Sequence, residues 1–264
     1  MIPSPPSRKP IASVQRALDI LNLFDNDHGE LGNSEIAKMV GLPIGTASGL
    51  IYTLKLNKYL GQNPMTRKYH LGLKLAERAS ILLDQLDLRK LAIPYLEELR
   101  VWSGESVNLA IRDGNAVVYI ERMFGNHSLG IRSELGKRAP LHSTALGKAI
   151  VAFLPDEECE VLISQYVFRP ITPYAITNKN QFNYELDQIR KKGFALDEQE
   201  NEIGGRCIGA PIFDHQSYPI AAISISIPLQ RFPQEQTEKY AEKIKSIAKE
   251  ISKKMDFICI RENN

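Results

Sequence analysis

Ser224 and Ser226 stand two residues apart in the run PIAAISISIP, residues 219–228. In an extended strand this spacing sends both hydroxyls to one side and Ile223, Ile225 and Ile227 to the other. Buried hydroxyls must find hydrogen-bond partners, either neighbouring backbone or a polar ligand. Upstream, Ser143, Thr144, Ala145 and Leu146 open a helical run, and the free N–H groups of a helix start favour a carboxylate. Asp197 and Cys207 are the other residues of the C-terminal half whose chemistry needs a place. Cys207 reads as a small buried residue or, as alternatives, as the thiol of a metal or redox sensor or a nucleophile near His142-Ser143. An enzyme acting on small acids or esters would need more. No G-x-S-x-G elbow is present, residue types alone do not make a triad, and His142, beside Pro140 and Leu141, reads as a packing or helix-start residue. Cys159, Cys207 and Cys259 are odd in number and far apart, without a C-x-x-C pair, which argues against a disulfide framework or zinc finger. The expectation is a non-enzyme with no cofactor and no metal.

The second set of chemistry-bearing residues lies near the N-terminus, in NSEIAKMVGLPIGTASGLIYTLKLNKYL, residues 33–60. Ser34 or Asn33 is placed to cap a first helix, with Ile36, Ala37 and Val40 on its apolar face. Gly41 permits the left-handed residue that ends it, and Pro43 fits the first turn of the next helix. There Ala47, Leu50, Ile51 and Leu54 recur at i, i+3, i+4 and i+7, one buried stripe. The opposite face, with Gly45, Thr46, Ser48, Gly49, Tyr52 and Thr53, is short, polar and uncharged, suited to approach base edges in a DNA groove. Strands at 59–62 and 68–71 around the turn-forming Asn63-Pro64-Met65-Thr66-Arg67 make a hairpin. Arg67 and Lys68 then sit at the tip of a wing, placed to meet phosphates.

The elements that must hold these two sets fall into two regions. Over 264 residues, hydrophobic content is 43%, charged content 24% and net charge only +2, a globular composition rather than a polybasic one. Residues 1–75 carry 9 basic and 5 acidic residues, a net of +4 against −2 for the remainder, the asymmetry of a nucleic-acid module on a neutral partner domain. No apolar run is long enough to span a membrane. The opening MIPSPPSRKP lacks the apolar core of a signal peptide and reads as a disordered arm, residues 1–11, of a cytoplasmic protein. Ser13 is placed to cap a support helix whose stripe is Val14, Ala17, Leu18, Leu21 and Phe24. After the wing, 73–86 is helical, with Leu75, Leu82, Leu83 and Leu86 facing either the domain core or a second subunit. Asp87 is placed to cap a further helix, with a stripe of Leu88, Leu91, Ala92, Tyr95, Leu96 and Leu99, that Pro94 should kink or interrupt.

From Ser106 the pattern is mixed. Val107, Leu109 and Ile111 alternate, Asp113-Gly114-Asn115 turns the chain, and 117–120 returns. Residues 129–132 read as a third strand, 144–154 as a helix with another from Asp156, and 180–192 as a helix stopped by Gly193. A second hairpin follows at 206–213 and 220–227, and a closing helix at 234–255. Hairpins with helices between them imply an α+β domain, an antiparallel sheet flanked by helices.

Four pieces, SVQRALDILNLF, the helix-turn-helix with KYHLG in its wing, GKRAPLHSTALGKAIVAFLP and CIGAPIFDHQSYPIAAISISIP, resemble the IclR family of bacterial transcriptional regulators. The resemblance covers about 13–255. It implies a winged helix-turn-helix DNA-binding domain over 12–73, a linker helix over 74–86 and a GAF-like effector-binding domain over 87–258. It also implies a homodimer or homotetramer on a double-stranded DNA operator, palindromic for a two-fold protein. The implied effector is a small organic acid, its pocket formed by Ser143, Thr144, Ala145, Leu146, Asp197, Cys207, Ser224 and Ser226, with Met123, Leu129 and Ile131 as an apolar wall. Gly49 departs from the family, which often has arginine there, so no operator sequence is carried over.

Overall fold

A computed structural model describes residues 9–25, 27–127, 130 and 134–262 of the chain, with side chains to residue 255. The arm expected over 1–11 therefore lies mostly outside the described residues, as does most of the strand expected over 129–132. Two compact units divide at Gln85/Leu86, and no single described helix is long and apolar enough to cross a membrane.

The first unit runs α1 (Ala12–Leu21), α2 (Asn33–Met39), α3 (Ile44–Leu56), β1 (Leu60–Gln62), β2 (Tyr69–Leu71) and α4 (Lys74–Asp84). Ile20, Leu31, Ile36, Ala37, Ala47, Ile51 and Leu60 form its core, with Leu50 and Leu54 packed at the edge. The three expected caps are not made by side chains. Ser13 lies inside α1, behind Ile11, and Asn33 and Ser34 are the first helical residues of α2. The end of α2 is instead held by Glu35, whose carboxylate reaches back to accept the Gly32 N–H at 2.6 Å. Of the expected α1 stripe, Leu21 and Phe24 pack against this core; Ile20 is the helix's buried residue, while Val14 and Leu18 stay about half exposed. Gly41 sits at φ +65°, the left-handed residue that lets the chain reverse between α2 and α3. Pro43 precedes α3 rather than opening its first turn. β1 and β2 pair antiparallel, Leu60 opposite Leu71 and Gln62 opposite Tyr69, so a wing follows α3 directly. No residue of α4 is buried, so its leucines are not domain core within this unit.

The second unit runs α5 (Asp87–Ser103), β3 (Ser106–Asp113), β4 (Ala116–Met123), β5 (Arg138–Pro140), α6 (Ala145–Val151), α7 (Asp156–Gln165), α8 (Lys179–Lys192), β6 (Ala195–Glu198), β7 (Gly205–Phe213), β8 (Pro219–Pro228) and α9 (Thr237–Glu262). Asp87 is the first helical residue of α5 and makes no side-chain cap, and α5 runs on through Pro94 without a break. Pro94 is exposed, on the side where losing one backbone hydrogen bond leaves a carbonyl to solvent rather than to a core. The strands form one sheet in the order β5-β4-β3-β8-β7-β6, antiparallel throughout. Sequence reading missed β6, a short edge strand without alternation, and placed its third strand before β5. α5 and α9 pack on one face of the sheet and α6 on the other. Alternation therefore sends Ile223, Ile225 and Ile227 of β8 toward α5 and α9. Ala222, which joins the core around α6, marks the face that Ser224 and Ser226 share.

Candidate functional site

In the first unit α3 presents Gly45, Thr46, Gly49 and Tyr52 to solvent, with Tyr52 65% exposed. A side chain added at Gly45 or Gly49 would meet nothing within 4 Å, so backbone there can approach a partner closely. Ser48 departs from expectation. Its hydroxyl donates to the Ile44 carbonyl at 2.7 Å and accepts from Asn33 Nδ2 at 2.8 Å, tying α3 to α2 instead of standing free for a base edge. Thr53 likewise donates to the Gly49 carbonyl. Both are the back-bonding that short hydroxyl side chains make inside helices. At the wing tip the Asn63 side chain accepts from the Met65 and Thr66 N–H groups, and Glu30 accepts from Asn63 Nδ2 and Thr66 Oγ1. Arg67, exposed and at φ +61°, has no side-chain partner among the described residues. Lys68 differs: it lies 3.4 Å from the Glu35 carboxylate, so part of its charge is already answered.

In the second unit a cavity of about 460 Å³ opens between the sheet and α6. Its floor is polar. Ser224 and Ser226 come from β8, Cys207 from β7 and Asp197 from β6, placed side by side because Cys207 pairs with both Ser226 and Asp197 in the sheet register. Asn108 of β3, opposite Ser224, donates from Nδ2 to Ser226 Oγ at 3.1 Å and to Ser224 Oγ at 3.3 Å. The Cys207 thiol donates to Ser226 Oγ at 3.3 Å. Both serine oxygens thus accept from within the protein, which leaves their O–H groups to donate into the cavity. Asn108 escaped the sequence reading because only strand register brings it to the serines. Tyr119 of β4, Ala139 and Pro140 of β5, and Ile171 add apolar wall. Met123 is not part of that wall, and Leu129 and Ile131 lie outside the described residues.

The start of α6 overlooks this floor through Thr144, Ala145 and Leu146. Gly209 makes the approach possible. A side chain there would lie 3.0 Å from the Ala145 backbone, so glycine lets the helix settle on β7 at this distance without the backbone giving way. Thr144 is the helix cap: its hydroxyl donates to the Pro140 carbonyl at 2.8 Å and accepts the Gly147 N–H at 3.0 Å. It is therefore committed to the fold and contributes shape rather than a free hydroxyl. Ser143 is fully buried, is not a wall of the cavity, and its hydroxyl has no partner among the described residues. Of the eight expected effector-site residues, seven surround the cavity and Ser143 does not.

The electrostatics are unusual at Asp197. The residue is 4% exposed. Oδ1 accepts the N–H groups of Glu200 at 2.7 Å and Asn201 at 3.3 Å. Burial pushes its pKa up to about 7; Lys148 pulls it down and Glu200 pushes it further up. Lys148, itself fully buried, is spent on Glu200, which it contacts directly, and on Glu185 at 3.3 Å. Burial, reinforced by Asp197, raises the Cys207 thiol well above its ordinary range. A thiol held protonated is a poor metal ligand and a poor nucleophile, and among the described residues no group of three or more His, Cys, Asp or Glu could hold a metal. His142 does not activate Ser143. Its Nδ1 meets the Tyr166 hydroxyl at 3.0 Å, its ring packs against Tyr166 and Phe168, and burial lowers its pKa.

Comparison with known proteins matches two domains of one family to the chain. Residues 13–64 match the IclR helix-turn-helix domain, and 81–253 match the bacterial transcriptional regulator IclR C-terminal domain. The HTH-type transcriptional regulator XynR of Escherichia coli is 36% identical over 94% of this chain and 98% of its own length. The crystal structure of the Thermotoga maritima IclR is 36% identical, covers 92% of this chain and 98% of that one, and superposes with a TM-score of 0.76. An IclR homologue from Microbacterium hydrocarbonoxydans, solved in complex with 4-hydroxybenzoate, shares the fold at 23% identity and a TM-score of 0.77, covering 92% of this chain and 98% of its own.

Proposed function

The chain belongs to the IclR family of bacterial transcriptional regulators, and we propose that the cavity beneath α6 is where a small hydroxylated organic acid binds and modulates attachment of the N-terminal head to DNA. The observation that carries this reading is the uncommitted hydrogen-bonding capacity of the cavity floor. Ser224 and Ser226 have donors to give, and Asp197 offers a carboxyl at the other end. A carboxylate takes the donors, and a ligand hydroxyl or a second acid oxygen faces Asp197. The captured ligand of the Microbacterium relative, 4-hydroxybenzoate, is itself a hydroxylated carboxylate. The helix start contributes less than expected, because α6 has seven residues and a short helix carries a small dipole.

On this reading 12–73 is the DNA-binding domain and 74–86 the linker. α3 enters the major groove with Thr46 and Tyr52 toward base edges, while Arg67 meets a phosphate. The apolar residues of α4, Ile81 and Leu82, are 43% and 59% exposed, and a second copy of the chain would bury them. A two-fold assembly reads a palindrome with half-sites about 34 Å apart, or a multiple of that. Its work on DNA places it in the cytoplasm of its bacterium, as a regulator without catalytic activity. A thermal-shift screen of hydroxylated acids tests the effector. A ligand of the folded state adds RT ln(1+[L]/Kd) of stability, so a millimolar binder at ten times its Kd is visible. A smaller stabilisation by acids in the double variant Ser224→Ala/Ser226→Ala than in the wild type is expected; equal stabilisation of both would move the effector elsewhere.

A further inference from the structure

We propose that Asp197, itself a neutral carboxylic acid in the complex, selects an acid effector by donating its O–H to the second oxygen of the bound carboxylate, so that the anion enters together with one proton from solvent. This rests on the reading of the cavity as the effector site. The geometry leaves few other arrangements. A sphere of the cavity's volume is about 10 Å across, so an anion inside it lies close to the Asp197 carboxyl in an interior where charges are weakly screened. Two carboxylates that share such a site do not both stay ionised.

Among the described residues no neighbour removes the conflict. Lys148 on α6 is the nearest buried cation, and it is engaged by Glu200 and Glu185. Arg138 on β5, at the cavity's edge, is paired with Asp113 at 2.5 Å. Lys137, also on that edge, is exposed and so screened by water. The remaining titratable groups facing Asp197 among the described residues are Cys207 on β7, Tyr119 on β4, and Glu200 and Glu202 after β6. Burial raises both the Cys207 thiol and the Tyr119 phenol, so both stay neutral and neither offsets a carboxylate, and Glu202 adds a negative charge. Asp197 already holds its proton up to about pH 7, which makes the neutral acid cheap to form. The balance is simple: ligand carboxylate plus Asp197 carboxylate plus one solvent proton gives a complex with one net negative charge, and no covalent bond beyond O–H changes.

Isothermal titration calorimetry of the full chain with D-glycerate and D-gluconate as probes, in buffers of different ionisation enthalpy, reads the proton directly. Uptake of about half a proton per ligand at pH 7, approaching one at pH 8.5 and vanishing near pH 5.5, is expected, with Kd rising about tenfold per pH unit in the alkaline range. Asp197→Asn keeps an acceptor for the Glu200 and Asn201 N–H groups and offers a permanent donor to the ligand. It should bind the acids with no proton uptake and a flat pH profile, whereas Glu200 as the proton acceptor would leave the uptake unchanged in that variant. Binding without proton uptake in the wild type, or with affinity that improves as pH rises, overturns the proposal and leaves the effector reading standing. The wild-type series decides this even if the variant fails to fold. No heat with either acid, together with no thermal shift, overturns both.

Discussion

For single residues, behaviour turns on which polar groups the fold has already spent. Arg67 is unspent and Lys68 is partly spent on Glu35. Arg67→Ala should therefore weaken binding to operator and unrelated DNA alike and lower the slope of log K against log salt by about one, while Lys68→Ala does less. Anisotropy titrations at several salt concentrations measure both. In the cavity, Ser224→Ala with Ser226→Ala removes two donors, each worth about 0.5–1.5 kcal/mol, for a loss of roughly five- to 150-fold in acid affinity. Asp197 adds a pH signature to the protein without ligand. Its folded pKa of about 7 stands above the ordinary 3.8, so the folded chain holds a proton that the unfolded chain has released. Its contribution to stability is full below about pH 4 and falls as pH rises toward 7. Urea denaturation across that range should show wild-type stability declining more steeply with pH than that of Asp197→Asn.

Among the elements, α6 and its seat on β7 decide whether the cavity exists. Gly209→Val puts atoms where the Ala145 backbone now lies 3.0 Å from an added Cβ. The expected cost is about 1–3 kcal/mol in denaturant unfolding, with loss of the acid-induced thermal shift while the isolated head's fold is untouched. The elements themselves were largely legible in the sequence. Hydrophobic spacing located α3 and its stripe, turn residues located the wing and both large hairpins, and Ser224 and Ser226 were set on one face by strand periodicity. Other features were not legible for identifiable reasons. Caps at Ser13, at Ser34 or Asn33, and at Asp87 failed because composition does not say which of several adjacent residues starts a helix. β6 is four residues long and carries no pattern of its own. Asn108 is 116 residues from Ser224, and only the register of β3 on β8 makes them neighbours. Ser48 and Thr144 were recognised as hydroxyls at the right places, but not as hydroxyls already bonded.

At the scale of the whole molecule, the head and the cavity matter only if one reports to the other. The exposed apolar side chains of α4 argue for at least a dimer, and light scattering at micromolar concentration should give a mass of twice the 29.7 kDa chain or more; a monomeric mass would leave the palindrome without its reader. Linkage then requires that an acid which changes DNA affinity have its own affinity changed by DNA by the same factor. The decisive measurement is a fluorescence-anisotropy titration of a labelled upstream fragment at fixed salt, with and without an acid found in the thermal-shift screen, for wild type and the Ser224→Ala/Ser226→Ala variant. At an acid concentration that just saturates the wild type, the wild-type DNA Kd is expected to shift by about five- to 150-fold, while the variant binds DNA with the ligand-free wild-type affinity and responds only at acid concentrations roughly five- to 150-fold higher. An equal response of both proteins at that concentration, or none in the wild type, rules out an effector in this cavity.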